Sequence, residues 1–256
     1  MIRENKVKKI LKNGGNVIGT FVKMNDPASV EILGLIGFDF IVVDNEHVAM
    51  NKIDMTNLIR SADASGIVPI IRVRENIPVE ILQALDAGAL GIQVPNIDTK
   101  EDVHNLIKSA KYAPIGNRGF SPSNRSAGYG TMNKQQFVKQ ANDNTLVVCH
   151  CESVTSMNNL DEILLEEELD VVFIGPMDLS QSLGIIGQAN HPKLLESVDV
   201  IIKKVLAHDK IVGMVAPNTT KVKELIAKGV RYIMISSDQG MIASLGKKYI
   251  REIKGN

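Results

Sequence analysis

The chain has 256 residues, and its 29 basic side chains balance its 29 acidic ones, so the formal net charge at pH 7 is zero. A balanced charge argues against a protein that binds nucleic acid or a membrane surface through a basic field, and we expect neither as a partner. With 44% apolar and 23% charged residues, the composition is that of a globular protein and excludes a disordered chain.

Short β-branched runs alternate along the chain with amphipathic stretches whose apolar residues recur at helical spacing. The predicted strands are Val17–Val22, Phe40–Val43, Val68–Arg72, Leu90–Val94, Thr145–His150, Val171–Ile174, Ile211–Val215 and Tyr232–Ile235. The predicted helices are a capping helix over Asn5–Lys12, then Ala28–Ile36, Lys52–Ser65, Ile77–Asp86, Thr99–Lys108, Ser156–Leu169, Lys193–His208, Thr219–Lys228 and Met241–Ile253. Lys111 to Asn144 lacks a clear strand signal, and we expect a long loop that serves an oligomer contact or wraps the domain.

Eight strands that are each followed by a helix is the count of a (β/α)8 barrel, whose typical length is about 250 residues. Runs that are apolar on both faces, such as Ile41–Val43 and Val171–Ile174, belong in a parallel sheet covered by helices. An open doubly wound sheet would need a glycine-rich first turn, which Val22–Asn25 does not provide. We therefore predict an α/β fold, with one (β/α)8 TIM-barrel domain over residues 1–256.

The sequence also predicts a cytoplasmic protein. No apolar run approaches the roughly 18 residues that a membrane-spanning helix needs. Residues 1–13 are basic and amphipathic, and they lack the apolar block of a secretory signal. The two cysteines, Cys149 and Cys151, lie too close together in sequence to form a useful disulfide, which fits a reducing compartment.

The predicted strand ends carry ionisable residues, and in a (β/α)8 barrel the active site lies at the C-terminal ends of the strands. Asp44 and His47 follow the second strand, and Arg72 ends the third. Glu152 follows the fifth strand and Asp178 the sixth. A barrel built for stability alone has no need of charges that converge on one rim, so we expect a catalytic site there.

The residue types at this rim favour the enolisation of a 2-oxo acid. Glu152 and Asp178 are hard oxygen donors from adjacent strands, which suits Mg²⁺, Mn²⁺ or a similar ion that keeps open positions for a chelating substrate. Arg72 offers a two-pronged donor for a carboxylate, and His47 is a candidate base whose tautomer Asp44 fixes. The metal is expected to bind the keto and carboxylate oxygens and to stabilise the enolate while the base moves a proton.

Other chemistries find less support. Strand alternation turns Glu152 toward the lumen and both Cys149 and Cys151 toward the helices, which disfavours a zinc site built on the cysteines and His150. A Schiff-base aldolase needs a lysine that projects from a strand end into the lumen, and none of the predicted strands ends in lysine. The chain has no Walker loop, no dinucleotide-binding glycine motif and no G-x-S-x-G elbow.

Five motifs together resemble the HpcH/HpaI aldolase family, the metal-dependent (class II) pyruvate aldolases. They are Asp44–His47, Ile71–Val73, Ala84–Ala89, Lys111–Gly119 and Phe173–Ser180, and the resemblance spans nearly the whole chain. It implies a TIM barrel of the phosphoenolpyruvate/pyruvate type that cleaves a 4-hydroxy-2-oxo acid to pyruvate and an aldehyde. It also implies a homo-oligomer, a hexamer built as a trimer of dimers that exchange C-terminal helices.

The same resemblance implies a role for each candidate residue. The implied roles are: Glu152 and Asp178 for Mg²⁺, Mn²⁺ or Co²⁺; Arg72 for the pyruvate carboxylate; His47 with Asp44 for acid–base catalysis through a metal-bound water; and Gly175, Pro176 and the amides of Met177 and Asp178 for the substrate carboxylate. Asp86 matches an acidic position that stabilises the transition state from a neighbouring subunit. The alternative for Asp86 is a plain charge at a helix C-terminus.

Two positions depart from the family pattern. His150 stands where the family has a glutamine that touches the substrate, and Phe21 stands where it commonly has a tryptophan. The imidazole could replace the amide as a donor to the substrate, add a metal ligand, or change the pH dependence. Two alternative functions stay open: a citrate-lyase-like or malyl-thioester lyase on the same barrel, and a non-catalytic 2-oxo-acid binder that kept the metal site.

Overall fold

A computed structural model describes residues 4–255, which form a closed barrel of eight strands. The strands are β1 (Val17–Val22), β2 (Phe40–Asp44), β3 (Val68–Arg72), β4 (Gly91–Val94), β5 (Leu146–Cys151), β6 (Val171–Ile174), β7 (Ile211–Ala216) and β8 (Tyr232–Ser237). The helices are α1 (Lys6–Lys12), α2 (Pro27–Leu35), α3 (Lys52–Ser65), α4 (Pro78–Ala87), α5 (Lys100–Ala110), α6 (Lys134–Asn144), α7 (Val154–Asn158), α8 (Leu160–Ile163), α9 (Pro176–Ser182), α10 (Pro192–Ala207), α11 (Thr219–Ala227) and α12 (Asp238–Lys254). Each strand pairs in parallel with the next and β8 pairs with β1, which confirms the predicted (β/α)8 TIM barrel. Within residues 4–255, no helix is long and apolar enough to span a membrane.

The strands divide their side chains between two apolar layers, because successive residues of a strand point to opposite faces. Phe40 and Val42 belong to the cluster that fills the lumen, whereas Ile41 packs in the layer beneath the helices. Cys149 and Cys151 lie in that outer layer as buried free thiols, and burial raises the pKa of Cys151 to about 11. The cysteines therefore face the helices, as strand alternation predicts.

Two stacked aromatic rings lie in the lumen, and glycines on neighbouring strands make room for them. The rings of Phe40 and Tyr232 stack with their centroids 4.4 Å apart. A Cβ atom at Gly19 would lie 2.4 Å from the Phe40 ring, and one at Gly213 would lie 2.8 Å from Tyr232. The lumen is therefore a packed core, and the site for a substrate lies at its rim.

Helix α1 caps the N-terminal end of the barrel, as predicted for Asn5–Lys12. The Asn5 side chain accepts a hydrogen bond from the Lys8 backbone N–H and begins the helix. The Lys8 ammonium then donates to Oδ2 of Asp170 and to the Thr145 carbonyl, each at 2.8 Å. Buried polar contacts thus hold α1 over the starts of β5 and β6.

The structure corrects the prediction in three segments. The single helix predicted over residues 156–169 is replaced by α7 and α8, because the chain turns at Asn159, whose side-chain amide donates to the Asp98 carbonyl. The expected loop over residues 111–144 ends in helix α6, whose Phe137 packs with Tyr112 and Ala127 in a small separate core. Helix α9 was not predicted, since its first residues, Pro176 onward, read as a loop.

Candidate active site

A buried pair of opposite charges lies at the C-terminal ends of β2 and β3, where Asp44 pairs in register with Arg72. The guanidinium of Arg72 donates to both carboxylate oxygens, from Nε to Oδ1 at 3.0 Å and from Nη2 to Oδ2 at 2.7 Å. Its Nη1 lies 2.9 Å from Oε2 of Glu46. Arg72 thus forms the predicted two-pronged geometry, here with carboxylates of the protein.

The two acids of this cluster differ in their affinity for a proton. Burial acts to raise the pKa of Asp44, but the hydrogen bonds and charge of Arg72 outweigh it and hold that pKa below its usual value. Burial raises the pKa of Glu46, and the attraction of Arg72 only partly offsets this. Glu46 is therefore the more easily protonated carboxyl of the pair.

The His47 ring lies at the mouth of the barrel and pairs with a different acid from the one predicted. Its side chain is 54% exposed, and its Nε2 lies 3.8 Å from Oε2 of Glu46. Asp44 instead accepts a hydrogen bond from the His47 backbone N–H, at 3.2 Å. The predicted pair of the His47 and Asp44 side chains is not formed, because the Asp44 carboxylate faces Arg72. The imidazole lies beside Glu46, which also pairs with Arg72.

Lys23 also reaches this rim, which corrects the expectation that the strand ends lack a lysine. Phe21 of β1 packs with the lumen cluster, and Lys23 comes two residues later on the same face. Its Nζ lies 3.3 Å from Oδ2 of Asp44. A Schiff-base lysine attacks as the free amine, whereas Lys23 is in an ion pair, so its position alone does not favour that chemistry.

Glu152 follows β5, and both of its oxygens are held by hydrogen bonds. Oε2 lies 2.7 Å from Nδ1 of His150, and Oε1 accepts the backbone N–H of Asn96 at 2.9 Å. A Cβ atom at Gly175 would lie 2.6 Å from Oε2, so a side chain there would displace the Glu152 carboxylate. Burial acts to raise the pKa of Glu152, but the interactions with His150 and Asn96 outweigh it and lower that pKa.

His150 belongs to a buried chain of hydrogen bonds that crosses the lumen. The Tyr232 hydroxyl, whose pKa burial raises well above its usual value, donates to Oε1 of Gln93 at 3.1 Å. The Gln93 amide nitrogen, 2.8 Å from Nε2 of His150, must then donate to the ring, so Nδ1 carries the proton that is shared with Glu152. Both ring nitrogens are occupied, and His150 has no nitrogen left for the predicted contact with the substrate.

Glu152 and Asp178 line one cavity of about 330 Å³ together with Asn96, Asp98 and neighbouring hydroxyl and amide groups. Asp178 is exposed, and within residues 4–255 no hydrogen bond or ion pair of its carboxylate is recorded. One fixed carboxylate beside one free carboxylate fits Mg²⁺ or Mn²⁺, which take oxygen ligands and keep several waters. In the same part of the chain, no group of three or more acidic, histidine or cysteine side chains is placed to hold a metal ion.

The residues before Asp178 shape one side of this cavity. Gly175 follows β6, and Pro176 is the first residue of α9. The first hydrogen bond of that helix runs from the Leu179 N–H to the Gly175 carbonyl. Proline has no N–H, so the amides of Met177 and Asp178 are the unpaired donors at this helix start, and the Met177 side chain is 55% exposed.

Asp86 lies at the opposite end of the barrel, in the last turn of α4. Its Oδ1 accepts a hydrogen bond from Nη2 of Arg118 at 2.6 Å, and its carbonyl accepts the Ser126 N–H. Within one chain Asp86 therefore anchors the 111–144 segment and is far from Glu152 and Arg72. A catalytic role for Asp86 requires a second chain.

Four residues of the site were missed from the sequence: Lys23, Gln93, Asn96 and Tyr232. Gln93 offered one signal, because it is a polar residue in the middle of a fully buried strand. Such a residue needs a hydrogen-bonding partner inside the protein. Asn96 acts through its backbone N–H in a left-handed conformation, with φ 55°, which side-chain patterns do not show.

A parallel (β/α)8 barrel with converging carboxylates at its strand ends has the architecture of a TIM-barrel enzyme. The family model for HpcH/HpaI aldolase/citrate lyase matches residues 17–244. The chain belongs to this family and is an enzyme of the lyase/aldolase type, which confirms the resemblance of the five motifs.

Individual relatives carry different activities. A 5-keto-4-deoxy-D-glucarate aldolase from Shigella dysenteriae serotype 1 (strain Sd197) is 33% identical over 244 residues, or 95% of this chain and 94% of that protein. The crystal structure of citrate synthase SbnG is 33% identical with a TM-score of 0.89 and covers 97% of both chains. An HpcH/HpaI aldolase from Desulfitobacterium hafniense DCB-2 is 28% identical with a TM-score of 0.92 and covers 96% of both. The family thus fixes the class of chemistry and leaves the substrate open.

Proposed function

We propose that the protein is a divalent-metal-dependent aldolase that cleaves a 4-hydroxy-2-oxo acid to pyruvate and an aldehyde. The observation that carries the proposal is the pair Glu152 and Asp178 in one open cavity, on a rim that also holds Arg72 and His47. Oxygen ligands, a guanidinium and an exposed imidazole are the groups that enolisation of a 2-oxo acid requires. The aldolases among the relatives support the same class of reaction.

Glu152 and Asp178 are the proposed ligands of the ion, which is Mg²⁺, Mn²⁺ or Co²⁺. When bound, such an ion supplies a Lewis acid that stabilises the negative charge of an enolate. His150 and Asn96 hold the Glu152 carboxylate in place, so that carboxylate loses little freedom when it becomes a ligand.

The other residues bind the substrate and move its protons. Arg72 has N–H bonds beyond those that face Asp44 and Glu46, and these are proposed to donate to the substrate carboxylate together with the free amides of Met177 and Asp178. As the bond between C3 and C4 breaks, the 4-hydroxyl proton leaves and C3 of the pyruvate enolate takes up a proton. His47 is the acid–base group for this exchange.

Pyruvate release from 4-hydroxy-2-oxo acids tests the proposal. Protein treated with EDTA is assayed with and without added Mg²⁺, Mn²⁺ or Co²⁺, beside the Glu152→Ala variant. We expect release only with a divalent ion, and a loss of about 100-fold or more in the variant. Undiminished turnover after exhaustive chelation would contradict the proposal. Exchange of the pyruvate methyl protons in deuterated water separates an enzyme from a mere binder of 2-oxo acids.

The identity to citrate synthase SbnG favours one second candidate, the condensation of oxaloacetate with an acetyl thioester. This reaction also needs an enolate and an anion-binding rim, so the same residues are compatible with it. Free thiol released from acetyl-coenzyme A in the presence of oxaloacetate would support this candidate. Pyruvate released from a 4-hydroxy-2-oxo acid without any thioester would support the aldolase.

We also propose a homo-oligomer, a hexamer built as a trimer of dimers with exchanged C-terminal helices. The last helix supports it, because five of its apolar side chains are exposed in the single chain: Ile242, Leu245, Tyr249, Ile250 and Ile253. An exposed apolar row of this kind marks an interface. In such an assembly Asp86 is proposed to approach the site of a neighbouring chain.

A further inference from the structure

Three polar side chains lie deep inside the apolar lumen: Gln93, His150 and Tyr232 are each at most 1% exposed. The side chains that pack around them, such as those of Val148 and Phe173, are apolar. A polar group in such surroundings costs free energy unless it is hydrogen-bonded, and apolar side chains of similar size would fill the same space without that cost. Packing of the barrel alone therefore does not account for these three residues.

The three residues form one chain of hydrogen bonds that ends at the carboxylate of Glu152. An ionised carboxylate can only accept, so Nδ1 of His150 donates to it across 2.7 Å. Nε2 of the same ring then accepts from the amide nitrogen of Gln93 at 2.8 Å, and the amide oxygen accepts from the Tyr232 hydroxyl at 3.1 Å. Every donor in the chain therefore points toward Glu152.

The far end of this chain is held firmly because the ring of Tyr232 is closely packed. It stacks on Phe40 with the centroids 4.4 Å apart, and it meets the edge of Phe173 at 6.1 Å. A Cβ atom at Gly213 would lie only 2.8 Å from the same ring. Glu152, by contrast, comes after the last residue of β5 and is outside the sheet. The chain thus ties a carboxylate beyond a strand end to a fixed ring on β8, three strands away.

Resting on the proposed aldolase function, we propose that Gln93 and Tyr232 are positioning residues of the metal site. They act through His150 on the carboxylate of Glu152, and neither lines the open cavity beside it. His150 holds one carboxylate oxygen and the Asn96 N–H holds the other. A carboxylate that is already oriented loses less freedom when it binds a divalent ion. The affinity for the ion therefore depends on an amide and a hydroxyl buried in the lumen.

The affinity of the substrate-free protein for Mn²⁺, measured by calorimetry, tests the proposal independently of turnover. Tyr232→Phe removes only the hydroxyl and keeps the ring, whereas Gln93→Met removes the direct partner of His150. We expect the dissociation constant for Mn²⁺ to rise about threefold in Tyr232→Phe and about tenfold or more in Gln93→Met. Tyr112→Phe is the matched control, because it removes a buried hydroxyl that has no hydrogen-bond partner within residues 4–255, and it is expected to keep the wild-type affinity.

A double variant separates action through His150 from a general loosening of the barrel. If Tyr232 acts through His150, adding Tyr232→Phe to His150→Leu causes no further loss of Mn²⁺ affinity, because the chain is already broken. A structural role would weaken Mn²⁺ binding equally in both backgrounds, or would lower only the stability that urea unfolding measures. Either of these results would overturn the proposal.

Pyruvate release from 4-hydroxy-2-oxo acids by the same variants distinguishes failure of this proposal from failure of the aldolase function. Mn²⁺ affinity that depends on Tyr232, in a protein that releases no pyruvate, would overturn the aldolase function alone. Pyruvate release by a wild type whose Mn²⁺ affinity is unchanged in Tyr232→Phe and in Gln93→Met would overturn the positioning role alone. A wild type that binds no divalent ion would overturn both.

Discussion

His150 supports Glu152 through hydrogen bonds on both nitrogens of its ring. With its proton on Nδ1, the ring offers one donor to Glu152 and one acceptor to Gln93. A glutamine side chain also offers a donor and an acceptor. The buried Tyr232 hydroxyl donates to the Gln93 carbonyl oxygen, which leaves the Gln93 amide nitrogen to donate to His150. A glutamine at this position would therefore keep the support of Glu152.

Two substitutions of His150 separate this support from a direct role in binding the substrate. We expect His150→Gln to keep the chain of hydrogen bonds from Tyr232 to Glu152 and to bind the metal with nearly wild-type affinity. His150→Leu leaves Gln93 and Glu152 without their partner, which should lower the free energy of unfolding by about 1–3 kcal/mol and raise the half-saturating Mg²⁺ concentration. Urea unfolding and metal titration check both effects. If both variants show the same free energy of unfolding and the same half-saturating Mg²⁺ concentration, the hydrogen bonds of His150 do not position Glu152.

Helix α1 illustrates how one element is held by buried charge. Lys8 extends from the helix to Asp170 at the barrel floor, and its ammonium is nearly shielded from water. Burial, together with the charge of Lys111, lowers the pKa of Lys8 from 10.5 to about 8, although Asp170 acts in the opposite direction. Helix α1 is thus held by contacts of the Lys8 ammonium group, whose charged form is disfavoured by burial.

The stability of the protein should therefore respond to alkaline pH through Lys8. Between pH 8 and 10.5 the unfolded chain keeps the Lys8 proton while the folded chain releases it. Because the unfolded state then binds more protons, the free energy of unfolding of the wild type increases with pH in this window. The increase is measured against the free energy of unfolding of Lys8→Met. Urea unfolding across the window checks the difference, with the exposed Lys9→Met as the control. A difference that falls with pH would contradict the assignment.

At the scale of the whole molecule, the two ends of the barrel have different tasks. The C-terminal rim carries the charged groups of the site, whereas the opposite end holds α1, the 111–144 segment and Asp86 bound to Arg118. The exposed apolar side chains of α12 form a surface that one chain does not cover. Assembly is therefore the step that would bring Asp86 into a site.

The mass in solution tests this arrangement. We expect light scattering to give about six times the chain mass of 27.9 kDa for the wild type. Replacing two exposed apolar residues, in Leu245→Asp/Ile250→Asp, places charges in the proposed interface and should yield smaller species. Lys247→Asp, on the same helix, is the control for a charge change alone. A wild type that remains a monomer at micromolar concentration would contradict the proposal.

Local patterns in the sequence determined the barrel and the chemical class of its rim. The alternation of β-branched and amphipathic runs depends on neighbours in the chain, and it placed all eight strands within about two residues of their observed bounds. Strand alternation also predicted that Cys149 and Cys151 face away from the lumen, where the structure places them. The motif that contains Asp178 led to the family for the same reason, since its residues are adjacent in sequence.

The tertiary structure alone decided how the charges are partnered. Arg72 pairs with Asp44 and with Glu46, and His47 lies beside Glu46. Lys23 reaches the rim, and His150 is occupied on both ring nitrogens. The contacts of Arg72 with Asp44, of Lys23 with Asp44 and of His150 with Gln93 join residues at the ends of, or within, different strands. Their choice depends on register, on burial and on competition between donors for one carboxylate, and these arise only when the barrel closes.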